Sequence, residues 1–283
     1  MSIDNATVVA TTTAAAGCRK VAATAAATSE PTAKDIGLFI ADYAAWLCGC
    51  GATCIRLEKG VNRISEALGV DTDMSIMPTH IQTTVSTRDR GESFSIVRKI
   101  HKSAVSFDIN TQMSKLSWDI AEGRCDFREA LARFERIKLT KPARPLPVLL
   151  LVSAANASFC RLFGGDAVSM LIVFVSTLCG YKMKQVMLED GVDSRVVFIC
   201  SSFFSAVISA SGHLFGWGAT PEVAFASSVL YLIPGIPYIN SVSDMLDGHY
   251  LCAFSRLMDG LVLTACLSLG FCGGLLLMNL NWF

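Results

Sequence analysis

Apolar and polar positions follow two different rhythms along this chain, and the change falls near Arg144. Before it, apolar residues are interleaved with charge. From Asp35 to about Cys48 they recur at helical spacing and stop at Gly49-Cys50-Gly51, which predicts a first helix and a break. A second helix is expected from about Ala52 to Leu68, closed by Gly69, the residue type best suited to a left-handed helix end. Thr72 to Ser86 sets Met74, Ile76, Ile81 and Val85 among polar neighbours with Pro78 interrupting, which predicts two short strands, and a third is expected near Ser93 to Ile100. Two further helices, about Ile109 to Glu122 closed by Gly123 and Asp126 to Ile137 with its acidic first turn, complete an α/β unit.

After Arg144-Pro145 the charges thin out and five apolar segments follow: Leu146 to Cys160, Ala167 to Tyr181, Val196 to Trp217, Val223 to Ser243, and Gly260 to Phe283. The last three carry no Asp, Glu, Lys or Arg and reach the roughly 20 residues that a membrane-crossing helix needs. The first two are shorter and admit two readings, full spans or a buried or re-entrant pair. The expected fold is an α-helical polytopic membrane protein with an N-terminal cytoplasmic α/β domain. Its parts are a disordered Ala/Thr-rich tail over 1–33, the α/β domain over 34–144, and a transmembrane domain of about five helices over 145–283.

Composition sharpens this division. Of 48 charged residues, 35 lie at or before Arg144 and only 13 in the 139 residues beyond it, so the two halves suit different solvents. Placing Lys141, Arg144, Lys182, Lys184, Arg195 and Arg256 inside and only Arg161 outside puts the N-terminal domain in the cytoplasm, beneath the cell's inner membrane. Formal net charge is zero, which gives no argument for a nucleic-acid partner, and none is expected. The 11 cysteines, odd in number and scattered, suit reduced thiols, and Cys48, Cys50 and Cys54 lack a second pair at zinc spacing, so no metal is expected. With no phosphate-binding glycine loop, no His-Glu-x-x-His and no Gly-x-Ser-x-Gly elbow, no cofactor and no catalytic residue are expected, and the chain is not read as an enzyme.

The candidate chemistry lies in and after the fourth segment. Pro234-Gly235-Ile236-Pro237 interrupts it, because two prolines around a glycine leave backbone groups unpaired, and inside a membrane such a break belongs in protein or at a wet cavity. A half-helix starting near Pro237 aims its free N–H groups at the midplane, as transporters do to hold carboxylates; a plain packing kink is the competing reading. Asn240, Asp244 and Asp247 share one face of that half-helix, and Arg256 and Asp259 follow after Gly248. These charges read either as an ion and substrate pathway or as a loop that sets topology. Glu58, Asp166 and His213 are weaker candidates for gating or proton-linked roles, against a salt bridge, a turn and a packing role respectively.

On the Pro234-Gly235-Ile236-Pro237 break with Asn240, Asp244, Gly248 and Arg256, and on Gly51-Ala52, Arg56, Glu58, Arg63, Ala67-Leu68-Gly69-Val70 and Pro78-Thr79 in the first half, the chain resembles the threonine/serine exporter family. The resemblance implies the large subunit of a two-chain form, which needs a small membrane partner subunit to supply the second transmembrane half. It further implies proton-driven export across the lipid bilayer of threonine and serine, or of a dicarboxylate such as succinate. The substrate carboxylate would then meet the half-helix and Arg256, with Asp244 or Asp247 taking an amino group or a proton. A membrane-anchored sensor whose cytoplasmic domain binds a ligand, and an intramembrane enzyme using Asp244 and Asp247, are the competing functions.

Overall fold

The computed structural model describes residues 31–87, 93–101, 103, 105–140 and 143–278. Most of the expected tail, Lys141 and the last five residues of the fifth apolar segment lie outside them.

Helix α1 (Ala33–Gly49) opens on a capping box: the Asp35 amide donates to Thr32 Oγ1 while the Asp35 carboxylate accepts from the Thr32 amide, each at 3.2 Å. Ile36, Phe39, Ile40, Tyr43, Ala44 and Leu47, at helical spacing, bury α1 at the centre of the first core. Around it lie α2 (Cys54–Ala67), α3 (Phe107–Ala121), α4 (Phe127–Lys138) and the antiparallel sheet β1 (Val70–Ile76), β2 (His80–Thr87), β3 (Ser93–Lys99) in the order β1-β2-β3. Strand β2 alternates as a half-covered strand does, with Ile81, Thr83 and Val85 buried toward α1. Phe134 of α4 meets Phe39 edge-on at 5.7 Å, and buried Asp119 of α3 takes Arg124 and Arg133 at 2.9 Å each, fastening α4 to α3.

Among the described residues of the second half, four helices are long and apolar enough to cross a membrane: α5 (Pro145–Leu162), α6 (Ala167–Glu189), α7 (Ser194–Leu214) and α10 (Tyr250–Leu277). A bent helix pair forms either a fifth, broken crossing or a re-entrant loop. It comprises α8 (Pro221–Ser227), a 3₁₀ turn (Leu230–Leu232) and α9 (Gly235–Leu246), bent by 59°. Direction alternates along the bundle. Gln185 near the end of α6 donates to the Pro145 carbonyl at the start of α5 (3.1 Å), whereas Asp166, between α5 and α6, meets Ala219 and Thr220 ahead of α8 at the opposite end. Helix α7 is the axial element. It packs on α6, α8 and α10, and at α10 small residues permit near-contact of backbones. A Cβ at Gly270 would overlap Ser202 Oγ and the Ile199 carbonyl, and one at Gly274 would stand 2.7 Å from Ala206 Cβ.

Three boundaries differ from expectation. The second apolar segment was expected to end at Tyr181, but α6 runs to Glu189 because nothing interrupts the helix before Gly191 (φ +75°); Lys182 and Lys184 are therefore helical, with the Lys184 ammonium over Tyr181 and Phe198 at 5.6 and 5.0 Å. The fifth was expected from Gly260, but α10 starts at Tyr250, two residues after Gly248 (φ +87°), so Arg256 and Asp259 lie inside a helix and not in a linker. Hydropathy marks where charge ends, whereas backbone punctuation marks where the helix begins. Helix α9 starts at Gly235 and not near Pro237, since a proline in the first helical turn removes an N–H that has no partner there anyway.

Candidate functional site

The first half docks on the second chiefly around one turn. Helix α1 ends with Gly51 in the left-handed region (φ +83°), its N–H on Cys48 O (3.0 Å) and the Ala52 N–H on Leu47 O (3.3 Å), the two bonds of a Schellman closure. Only glycine takes that conformation without strain. The closure turns the Gly51 and Ala52 carbonyls outward. Thr53, the next residue, precedes α2 but makes no side-chain cap, which leaves the positive end of α2 open.

The second half supplies what is missing. Asp244 of α9 is fully buried, and its Oδ1 accepts from the Cys54 amide at 2.8 Å, capping α2 from a position 190 residues away. Its Oδ2 stands 2.9 Å from Arg256 Nη1 of α10, a charge contact without hydrogen-bond alignment, and neither atom has a hydrogen-bond partner among the described residues. Arg256 Nη2 donates to the Ala52 carbonyl (2.7 Å), and Asn240 Nδ2 donates to the Gly51 carbonyl (2.9 Å). A second Schellman closure ends α9: Gly248 N–H on Met245 O (3.2 Å) and His249 N–H on Asp244 O (2.8 Å). It places His249 Nε2 3.3 Å from Glu58 Oε1 of α2. Ser241 Oγ donates to Ala253 O (2.7 Å), joining α9 to α10 beneath the pair.

Thiols surround this latch. Buried Cys252 of α10 reaches the Ile76 carbonyl at 3.5 Å. The Cys54 thiol is pushed well above its ordinary range, first by its hydrogen bond with Cys252, then by burial and by the Asp244 charge. Burial also raises the Cys48 thiol, with Arg256 partly offsetting it. Among the described residues no group of three or more His, Cys, Asp or Glu has the arrangement of a metal site.

The helix break itself is an inverse γ-turn. Pro234 has φ −78° and ψ 60°, and the Gly235 N–H returns to the Ile233 carbonyl at 2.8 Å. Helix α9 then begins with no side-chain cap. Beside the break a cleft of about 300 Å³ is lined by apolar residues together with Asn156 and Tyr231. Asn156 donates to Thr177 Oγ1 (2.6 Å) and Ser227 O (3.1 Å), and the Tyr231 hydroxyl lies 2.9 Å from Ser205 Oγ.

The structure thus brings Asn240, Asp244, Arg256 and Glu58 together, with Pro234, Gly235 and Pro237 at the other end of α9. The shared face expected of Asn240, Asp244 and Asp247 holds for the first two only. The docked turn covers them, while Asp247, the C-cap of α9, is exposed and meets Ser243 Oγ at 3.5 Å. Asp259 is exposed on α10 one turn beyond Arg256, and His213 is exposed at the end of α7. Asp166 lies far from the latch as the N-cap of α6, accepting from the Ser169 and Ala219 amides at 2.8 Å each. Sequence reading missed the Cys54 amide, the Gly51 and Ala52 carbonyls, His249 and Cys252. The glycines at 51 and 248 were the available signal, because each ends a helix at the point of contact.

A bent helix pair beside a buried ion pair, in a multi-pass helical membrane protein, is a combination that solute transporters also use. The chain belongs to the family described as "Putative threonine/serine exporter", whose model matches residues 38–278. It is similar to two proteins each named "Probable succinate transporter subunit YjjP". The one from Klebsiella aerogenes is 26% identical over 240 residues, 84% of this chain and 91% of the relative. The one from Escherichia coli K12 is 26% identical over 247 residues, 87% of this chain and 91% of the relative. No solved structure matches it significantly.

Proposed function

We propose that this chain is the large subunit of a proton-coupled secondary exporter of small carboxylate-bearing metabolites, with its 34–144 domain in the cytoplasm and a small membrane partner supplying the second transmembrane half. The observation that carries this reading is the buried Asp244 carboxylate shared by Arg256 and the Cys54 amide. A guanidinium and a helix N-terminus are the groups that would hold a substrate carboxylate, and Asp244 occupies both. Asp244 therefore acts as an internal stand-in for substrate. Protonating it weakens its hold on Arg256 and on α2, so the protonation state of Asp244 and the docking of the cytoplasmic domain are linked to the binding of an incoming carboxylate. The path then follows Asn240, Asp244 and Arg256 to the Pro234-Gly235-Pro237 break, with Glu58 and His249 as the outer pair of the latch and exposed Asp247 and Asp259 at its mouth. Asp166 and His213 take no part in it.

The word "subunit" in both relatives' names supports a partner chain, and the family description and those names supply three candidate solutes, threonine, serine and succinate, each bearing a carboxylate. The test is efflux of radiolabelled threonine, serine and succinate preloaded into cells that express the chain with and without a small multi-span membrane protein from the same genome. Efflux of one solute that requires both chains and stops with a protonophore is expected. Efflux by this chain alone, or persistence with the protonophore, overturns the two-chain or the proton-coupled part respectively.

A further inference from the structure

A second cleft, of about 710 Å³, opens between α2 and α3 and starts at Thr53, next to the latch. Its walls are strongly basic. Arg56, Lys59 and Arg63 of α2 face Lys115 of α3 and Arg124 across it, against one acid, Glu122. Arg124 is engaged by Asp119 and Glu122, and Arg63 donates to Ser117 Oγ (2.6 Å) while lying 4.3 Å over the Trp118 ring. Arg56, Lys59 and Lys115 are exposed and have no ion pair among the described residues. Like charges one helical turn apart are unfavourable unless an anion offsets them.

Asn110 makes this more than a solvated basic face. It lines the cleft at 2% exposure, and its Nδ2 donates to the Cys50 carbonyl at 3.5 Å. A carbonyl only accepts, so Nδ2 faces Cys50, and Oδ1 of this cleft-lining residue is left buried and without a hydrogen-bond partner among the described residues. Leaving a buried acceptor unpaired is costly, so the occupant is expected to offer it a donor. An ammonium is disfavoured beside so many cations, and a hydroxyl fits.

We infer that this cleft is a binding site for a phosphate-bearing anion that also carries a hydroxyl group, such as a nucleotide or a phosphorylated polyol headgroup. Its volume lies within the usual range for small-molecule sites, roughly 300–1,000 Å³. Asn110 links it to the latch, since Cys50, Gly51 and Ala52 belong to the turn that Asn240 and Arg256 grip.

The full chain in nanodiscs of neutral phosphatidylcholine, titrated with ATP and with inorganic pyrophosphate, tests the site. Saturable binding of both is expected, tighter for ATP, with affinity lowered about tenfold or more in Lys59→Gln/Lys115→Gln. Asn110→Leu is expected to remove the preference for ATP over pyrophosphate, which has no alcohol hydroxyl. If neither binds but phosphatidylglycerol in the disc protects Lys59 and Lys115 from acetylation, the anion is a lipid headgroup. No binding and no such protection, or an ATP affinity unchanged by the double variant, overturns the inference.

Discussion

The Asp244 carboxylate stands 2.8 Å from the backbone nitrogen of Cys54, so a residue of the bent α8–α9 pair caps a helix of the N-terminal unit. Arg256 completes the arrangement from α10, its side chain 17% exposed against none for Asp244. Removing one partner leaves the other charge in a poorly solvated place. Asp244→Ala and Arg256→Ala should each destabilise the protein by roughly 3–5 kcal/mol. The double variant should cost less than the sum, because neither charge is then orphaned. Thermal or denaturant unfolding of the four proteins in one detergent gives the coupling; additive losses would mean that the two side chains do not act as a pair.

Cys54 reports on the same contact. Buried and pushed above the ordinary thiol range, it should alkylate slowly in the docked protein. Asp244→Asn removes a charge that raises this thiol and loosens the turn that hides it, and both effects speed alkylation. Site-resolved mass spectrometry after a short N-ethylmaleimide pulse should show Cys54 labelled faster in Asp244→Asn, with exposed Cys179 unchanged. Equal Cys54 rates in both proteins would contradict the latch.

At the other end of the bundle Asp166 makes a pH-dependent clasp. Hydrogen bonds from Ser169 above all, then from the Ala219 amide, hold its carboxyl down at about 2 against an ordinary 3.8. A value depressed by folding contributes stability above the ordinary value and loses it as the pH falls through the folded one. Unfolding temperature should therefore drop between about pH 4 and pH 2 more in wild type than in Asp166→Asn, which starts less stable and titrates less. Parallel pH profiles for the two proteins would refute the assignment.

Packing in the membrane half rests on close approach at Gly270 and Gly274. Gly270→Leu must push α10 away from α7, since a Cβ alone already collides with Ser202 and Ile199. Overpacking of this kind typically costs 1–3 kcal/mol, and here it also displaces Arg256 on the same helix. Loss of stability together with faster Cys54 labelling is expected; stability equal to wild type would mean that α7 and α10 are not held as described.

Much of this was readable in advance. The strands and helices of the first half follow from alternation at Met74, Ile76, Ile81 and Val85 and from glycines at 69 and 123, because local periodicity and punctuation decide them. The break at Pro234-Gly235-Pro237 follows from proline stereochemistry, and Asp244 and Arg256 stood out as charges beside apolar runs. What was not legible is tertiary. The partners of Asp244 and Arg256 are backbone groups of Cys54 and Ala52, which any sequence presents, and the distance along the chain hides the pairing. Asp247 has the spacing of a site residue, but the turn reaches only the first two helical positions. Residue spacing defines a face, and only packing decides how much of it is used.

In the proposed transport Asp244 acts where Asp247, three residues away and exposed, does not. The measurement is radiolabelled substrate efflux from proteoliposomes holding this chain and the proposed partner subunit, compared for wild type, Asp244→Asn and Asp247→Asn at matched protein content. Efflux lost in Asp244→Asn and retained in Asp247→Asn is the predicted result. Efflux retained in Asp244→Asn and lost in Asp247→Asn would contradict the latch as the transport site.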